Sequence, residues 1–165
     1  MSREPTTYER ALRLLEHRAR SVSELRRKLI EKGAARPEVE EVIVRLIDQK
    51  LLDDADFARQ FARTKITGAG SSRIRILQEL RHRGVASDVA ERALEELHAD
   101  EGIEASASIG RIAEKKWRSL GKLDELTRRR RLYAFLARRG YSPDDIRTAI
   151  ASLDASITLH RQDTP

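Results

Sequence analysis

Apolar residues recur along this chain at spacings of three and four, the pattern of one buried face on an α-helix. When Gly33, Gly84 and Gly140 are superimposed, with offsets of 51 and 56 residues, about 20 flanking residues align without a gap. Apolar positions then coincide on both sides of each glycine: Leu25, Ile76 and Leu132; Leu29, Leu80 and Leu136; Val42, Ala93 and Ala149; Leu46, Leu97 and Leu153. The chain therefore contains three copies of one helix-turn-helix.

Residues at the ends of these segments fix where the helices begin and end. Ser21 with Glu24 predicts a capping box in the first copy, and Ser72 and Thr127 predict caps at the equivalent places. Each repeat glycine is expected to end its helix, because glycine adopts the left-handed conformation at little cost. Ser142 predicts the cap of the last helix.

A further amphipathic segment precedes each helix-turn-helix. Its apolar residues have helical spacing and include most of the scarce aromatic residues, so we expect them in the core and not as a platform for stacked bases. They are Tyr8, Ala11, Leu12 and Leu15 in the first copy, Phe57, Ala58 and Phe61 in the second, and Ile109, Ile112, Ala113 and Trp117 in the third.

The predicted fold class is all-α, with three tandem three-helix repeats that resemble helix-turn-helix units. We expect the repeats at residues 5–52, 53–98 and 103–153, followed by a polar C-terminal tail over 154–165. A repeat of about 50 residues buries a small core, so neighbouring copies are expected to support one another in an elongated, curved chain. An aromatic content of only 4% agrees with a helical fold.

The charge balance predicts an anionic partner, either nucleic acid or an acidic protein surface. Of 165 residues, 33 are Lys or Arg and 27 are Asp or Glu, which gives a net charge of +6. The chain has no cysteine and no apolar run near the roughly 20 residues that span a bilayer. We expect a soluble, cytoplasmic protein that acts as a monomer.

No motif predicts catalysis, a cofactor or a metal site. The four histidines are far apart in sequence, and none pairs with another on one helix face. The glycine-rich stretch 68–72 lacks the features of a phosphate-binding loop and is predicted to be a flexible connection inside the second repeat. The carboxylates at 53, 54 and 56 are placed to cap a helix. We therefore expect a protein that is not an enzyme.

Clustered arginines are the candidate binding residues, because charge-assisted contacts suit phosphates and carboxylates alike. Four consecutive arginines on a helix cannot all meet one ligand, since Arg128 and Arg131 share a face that Arg129 does not. Arg26, Arg27 and Lys28 are weaker candidates in the first repeat. The main candidates are Arg73, Arg75, Arg81, Arg83, Arg128, Arg129, Arg130, Arg131, Arg138 and Arg139.

The order and spacing of motifs in the first two repeats resemble the RecX family of bacterial recombination regulators. In the first repeat the matching residues are Tyr8 to Leu15 and then Arg18 to Ser21, Glu24-Leu25, Lys28-Leu29 and Lys32-Gly33. In the second they are Leu51 to Ala58, Arg73-Ile74, Glu79-Leu80 and Arg83 to Val85. The third repeat matches through its basic helix and Trp117.

This resemblance implies a function as well as tandem three-helix repeats. RecX-like proteins bind the RecA recombinase filament on single-stranded DNA and reduce its ATP hydrolysis, strand exchange and co-protease activity, as part of homologous recombination, DNA repair and the SOS response. An elongated basic protein of this kind would act by occupying the filament groove, without catalysis. Weak, non-specific binding of bare DNA is also expected.

Two other functions stay open at this point. A helix-turn-helix protein would read a DNA major groove, although the third helices of the first two repeats carry several carboxylates that oppose the phosphate backbone. A basic helical scaffold for an acidic protein partner would need neither DNA nor a recombinase.

Overall fold

The computed structural model describes residues 4–103 and 108–162, and all regular structure within them is helical. A π-helical turn over Lys65–Ala69 continues the fourth helix. The nine α-helices of the described residues are α1 (Thr7–His17), α2 (Val22–Glu31), α3 (Arg36–Asp48), α4 (Asp54–Thr64), α5 (Arg73–His82), α6 (Ser87–Glu101), α7 (Ser108–Ser119), α8 (Glu125–Ala137) and α9 (Pro143–Gln162). Their order confirms the all-α class with three successive three-helix repeats.

The predicted flexible stretch 68–72 and the predicted C-terminal tail are both more helical than expected. Gly68 and Ala69 lie in the π-helical turn, which ends at Gly70 with φ +61°, so helix occupies the first two of the five residues predicted as flexible. Helix α9 runs through most of the predicted tail to Gln162. Residues 104–107 of the predicted third repeat and 163–165 of the predicted tail lie outside the described residues.

The chain divides into two compact units. Unit 1 contains Met1–Ala62 and Leu77–Glu96, and unit 2 contains Arg63–Ile76 and Leu97–Pro165. Helices α4, α5 and α6 each contribute residues to both units. The compact units are therefore not the sequence repeats, and the repeat limits 5–52, 53–98 and 103–153 stay a prediction.

The core of the first repeat lies in unit 1 and contains the residues that the apolar periodicity selected. Tyr8 and Leu12 pack at its edge. The buried members of this cluster are Ala11, Leu25, Leu29, Val39, Val42, Ile43, Leu46 and Leu52. Because Leu25, Leu29, Val39 and Leu46 are fully enclosed, α2 and α3 bury matching stripes against each other and against α1.

Unit 2 has its own core, built by α7, α8 and α9. Its buried members are Ala113, Trp117, Leu132, Leu136, Tyr141, Ile146 and Ala149, and Ile112 and Phe135 pack against them. In unit 1, Phe57 of α4 is also buried. The expected core role of Trp117 and Phe57 is therefore confirmed.

Serine caps confirm three of the predicted helix starts. The hydroxyls of Ser21, Ser72 and Ser142 each accept a hydrogen bond from the backbone N–H three residues later, at 3.1, 3.2 and 3.1 Å. The prediction for Thr127 was wrong. Asp124 caps α8 instead and accepts from the Thr127 N–H at 2.9 Å, because its carboxylate both caps the amide and complements the positive end of the helix.

Of the three carboxylates predicted to cap α4, Asp53 does so, whereas Asp54 and Asp56 lie in the first turn of the helix, where Asp54 accepts from the Val22 N–H and Asp56 from the Gln60 amide. Asp53 Oδ1 accepts from the backbone N–H of Ala55 at 2.8 Å and of Asp56 at 3.2 Å. Among the described residues, no three His, Cys, Asp or Glu side chains come together as a metal site would need. Within the same residues no helix is both long and apolar enough to cross a bilayer.

Candidate functional site

Some of the candidate arginines are held inside the fold by aromatic rings and carbonyl groups, and Arg128 is the first example. Its guanidinium carbon lies 3.9 Å from the centre of the Trp117 ring, and its Nη2 donates to the Trp117 carbonyl at 3.0 Å. A cation over an indole face is a favourable contact, more so when partly removed from water. Arg128 therefore fastens α8 to α7.

Arg139 is the second, and it binds the end of α8 to the π-helical turn. Its Nε donates to the Ala69 carbonyl at 2.9 Å, and its guanidinium carbon lies 3.6 Å from the centre of the Phe135 ring. Burial lowers the pKa of Arg139 from its usual value. Since arginine has a very high pKa to begin with, it keeps its charge at neutral pH.

Arg83 is the repeat equivalent of Arg139, 56 residues earlier, and it has the same kind of role in unit 1. Its guanidinium carbon lies 4.5 Å from the centre of the Phe61 ring. Nε lies 3.9 Å from the carboxylate of Glu24, and Nη1 lies 3.7 Å from that of Glu79. The arginine directly before the repeat glycine thus holds helices together in both copies.

Beside these two arginines, the second helices of successive repeats meet end to end. Ser21, which caps α2, also donates to the Arg83 carbonyl at 2.5 Å. Ser72, which caps α5, donates in the same way to the Gly140 carbonyl at 2.7 Å. Each serine therefore bonds an amide at the start of its own helix and a carbonyl at the end of the second helix of the following repeat. Amides at helix starts and carbonyls at helix ends lack partners inside their own helix.

Glycine is needed at these two meeting points. A Cβ atom on Gly84 would lie 2.3 Å from Cβ of Ser23, and one on Gly140 would lie 2.7 Å from Cβ of Arg75. Side-chain atoms of the neighbouring helix occupy the space that a Cβ would need, and both glycines have positive φ. The pair of meeting points, one in unit 1 and one in unit 2, is called the repeat junctions below.

Surface exposure marks the candidates that a partner can reach. Arg129 is exposed but pairs with Glu125 at 2.6 Å on its own helix. The first-repeat candidates are also paired. Arg26 donates to Glu40 through two bonds of 2.7 and 2.9 Å, and Arg27 and Lys28 both pair with Glu31. The exposed candidates of the second and third repeats are Arg73, Arg75, Arg81, Arg129, Arg130, Arg131 and Arg138.

The junction in unit 2 brings two of the predicted clusters together. Arg73 and Arg75 lie in the first turn of α5, and the Ser72 N–H that precedes them donates to the Arg139 carbonyl at 3.0 Å. The end of α8, which Arg138 follows, is therefore next to the start of α5, although 63 residues separate Arg138 from Arg75. Arg73, Arg75 and Arg138 are all exposed near this junction.

Helix α7 adds basic residues that the sequence analysis did not select. Arg111 and Lys115 are exposed and lie one turn apart, and Lys116 is half-buried with its Nζ 5.2 Å from the centre of the Phe135 ring. Their spacing was a usable signal, because residues four apart share a helix face. The apolar stripe of the same segment predicts only its buried face.

The known proteins that resemble this chain, and the family models that match it, all point to one family. Models of the first, second and third three-helix domains of RecX match residues 8–46, 53–94 and 106–150. The regulatory protein RecX of Pelodictyon phaeoclathratiforme (strain DSM 5477 / BU-1) is 36% identical over 143 residues, covering 87% of this chain and 86% of that protein. That of Mycobacterium sp. (strain KMS) is 38% identical over 146 residues, covering 86% and 78%.

Solved structures agree with the sequence comparison. The crystal structure of RecX from Lactobacillus salivarius superimposes with a TM-score of 0.71 at 26% identity, covering 90% of this chain and 95% of that one. The matches extend over all three repeats, and the tandem three-helix architecture is common to them. This chain belongs to the RecX family of regulatory proteins.

Proposed function

We propose that this protein binds the RecA recombinase filament on single-stranded DNA and restrains it, lowering its ATP hydrolysis, strand exchange and co-protease activity. The observation that carries the proposal is membership of the RecX family across all three repeats. The protein makes and breaks no bond in this process. It acts by occupying the filament.

The exposed arginines of unit 2 supply the contacts. Arg130 and Arg131 of α8 and Arg138 at its end are exposed, so their guanidinium groups are available to DNA phosphates or to carboxylates of the recombinase. Arg128 and Arg139, close to these residues in sequence, are instead held against aromatic rings of the fold. In this proposal, the held arginines shape the surface and the exposed arginines face the partner.

The test is the single-stranded-DNA-dependent ATPase of the cognate recombinase, measured while the full-length protein is titrated in. We expect inhibition below one molecule per recombinase monomer. The triple variant Arg130→Glu, Arg131→Glu, Arg138→Glu should need at least about tenfold more protein for equal inhibition, because three attractive contacts become repulsive.

A matched control reverses three other exposed arginines, Arg92, Arg118 and Arg147, which each pair with a carboxylate on their own helix. This control has the same net charge as the test variant and should inhibit like the wild type. Absence of inhibition by the wild-type protein at excess would refute the proposed function. Equal loss of inhibition in both triple variants would show that inhibition depends on the net charge and not on Arg130, Arg131 and Arg138.

A further inference from the structure

Unit 2 contains a groove that the proposed function does not use. Its volume is about 770 Å³, and it is enclosed by the π-helical turn, the end of α6, α7 and α8. This size lies within the range of pockets that hold organic ligands or short peptide segments. It is called the basic groove below, and its walls carry the side chains of Glu101, Ile103, Arg111, Ile112, Lys115 and Arg139.

The charges of the basic groove favour an anionic occupant. Arg111 and Lys115 stand one helical turn apart on α7, and Lys116 and Arg139 add two more cations. Glu101 is the one carboxylate among the described lining residues, and the guanidinium of Arg63 binds it. The lining residues of the groove therefore carry a net positive charge, which attracts an anionic ligand.

The floor of the groove is apolar, which distinguishes it from a simple phosphate site. Ile66 is buried beneath it, and Ile103 and Ile112 are half-buried along it. A phosphate backbone has no apolar groups to place against these side chains. A peptide with apolar residues on one face would bury them together with the isoleucines.

The aromatic ring in the groove is already occupied by cations. The guanidinium carbon of Arg139 lies 3.6 Å from the centre of the Phe135 ring, and Nζ of Lys116 lies 5.2 Å from it. Non-specific single-strand binding sites rely on open aromatic faces on which bases stack. Stacking here would have to displace Arg139, which also donates to the Ala69 carbonyl.

We propose that the basic groove binds an acidic, amphipathic peptide segment of a partner protein. Its apolar side chains would lie against Ile103 and Ile112, and its carboxylates would pair with Arg111 and Lys115. This is recognition of an acidic motif by a basic cluster combined with a helix-in-groove contact. Peptide binding in the basic groove requires neither DNA nor a recombinase, so its test is independent of the proposed function.

Fluorescence anisotropy with the full-length protein tests the proposal. The probe is a labelled peptide of about four helical turns with leucine at positions i, i+3, i+4 and i+7 and glutamate elsewhere. We expect saturable binding that the double variant Arg111→Glu, Lys115→Glu weakens by about tenfold or more. The control Arg118→Glu, Lys122→Glu has the same charge change and spacing outside the groove, and should bind within about twofold of wild type.

A second variant and a second probe test the apolar floor. Ile103→Ser should weaken the peptide several-fold and leave binding of an oligothymidylate of similar length unchanged. A scrambled peptide of identical composition should bind more weakly, because it lacks an apolar face. Thermal melts followed by circular dichroism verify that each variant folds.

Two results would overturn the proposal. Equal peptide affinity in the groove variant and in its control would show that the basic groove is not the site. Oligothymidylate binding that is lost in the Arg111 and Lys115 variant, without peptide binding by the wild type, would assign the groove to a phosphate backbone.

Discussion

Glu24 shows how one buried carboxylate stabilises unit 1. Its side chain is only 9% exposed and accepts from the two terminal nitrogens of Arg18 at 3.1 and 3.3 Å. Burial acts to raise the pKa of Glu24, but the hydrogen bonds and charge of Arg18 outweigh it, and the pKa is held below its usual value. An acid with a lowered pKa stabilises the fold in its ionised form.

Glu24→Gln should therefore lower the free energy of unfolding at pH 7 by about 1.5 to 3 kcal/mol, the range for hydrogen bonds to charged groups. The difference between variant and wild type should shrink as the pH falls below the unfolded-state pKa and through the lower folded-state pKa, because the wild type then loses its charge too. Urea denaturation at several pH values measures this. A difference that stayed constant down to pH 3 would contradict the assigned pKa direction.

The repeat glycines differ in what surrounds them, although all three have positive φ: +88° at Gly33, +75° at Gly84 and +84° at Gly140. A Cβ at Gly33 would meet nothing within 4 Å, whereas one at Gly84 would clash with Ser23. Gly33→Ala should then cost about 1 to 2 kcal/mol for the left-handed backbone alone. Gly84→Ala should cost at least about 1 kcal/mol more, since overpacking is added. Similar melting curves for the two variants would show that the junction relaxes without cost.

At the scale of elements, the repeat junction depends on a serine with two partners. Ser21 is fully buried, accepts from the Glu24 N–H and donates to the Arg83 carbonyl. An N-cap alone is worth about 1 kcal/mol. Loss of the second bond also leaves the Arg83 carbonyl without that donor, which adds a cost of similar size.

Ser21→Ala should accordingly lower the free energy of unfolding by about 2 to 3 kcal/mol. Thr6→Ala is the matched control, because Thr6 caps the exposed start of α1 in a capping box with Glu9. It should cost about 1 kcal/mol. Chemical denaturation of both variants gives the comparison, and equal losses would mean that the contact between successive helices contributes nothing beyond capping.

At the scale of the whole molecule, the net charge of +6 predicts weak, salt-sensitive binding of bare single-stranded DNA. The logarithm of the association constant should fall linearly with that of the salt concentration, by about 0.7 for each phosphate contact. The variant with Arg130, Arg131 and Arg138 changed to Glu should lower this slope by about 2. The control with Arg92, Arg118 and Arg147 reversed should keep it. Equal slopes in the two variants would place the DNA contacts elsewhere.

The sequence determined the features that depend on neighbours along the chain. Periodicity located the cores around Leu25 and Leu132, and the left-handed glycines and the serine caps set the ends of helices. These are local properties of a backbone and its side-chain spacing, so no distant residue is needed to predict them. Where two capping residues competed, as at Asp124 and Thr127, the sequence pattern selected the wrong one.

Only the tertiary structure decided which arginines are exposed and which are held inside the fold. Arg139 and Arg138 are adjacent in sequence and equally charged, yet Arg139 is held by a carbonyl 70 residues away and Arg138 is exposed. The basic groove likewise draws its walls from four separate segments. A run of arginines in the sequence shows only how many cations are present. Their exposure depends on which aromatic rings and carbonyl groups the packing brings beside them.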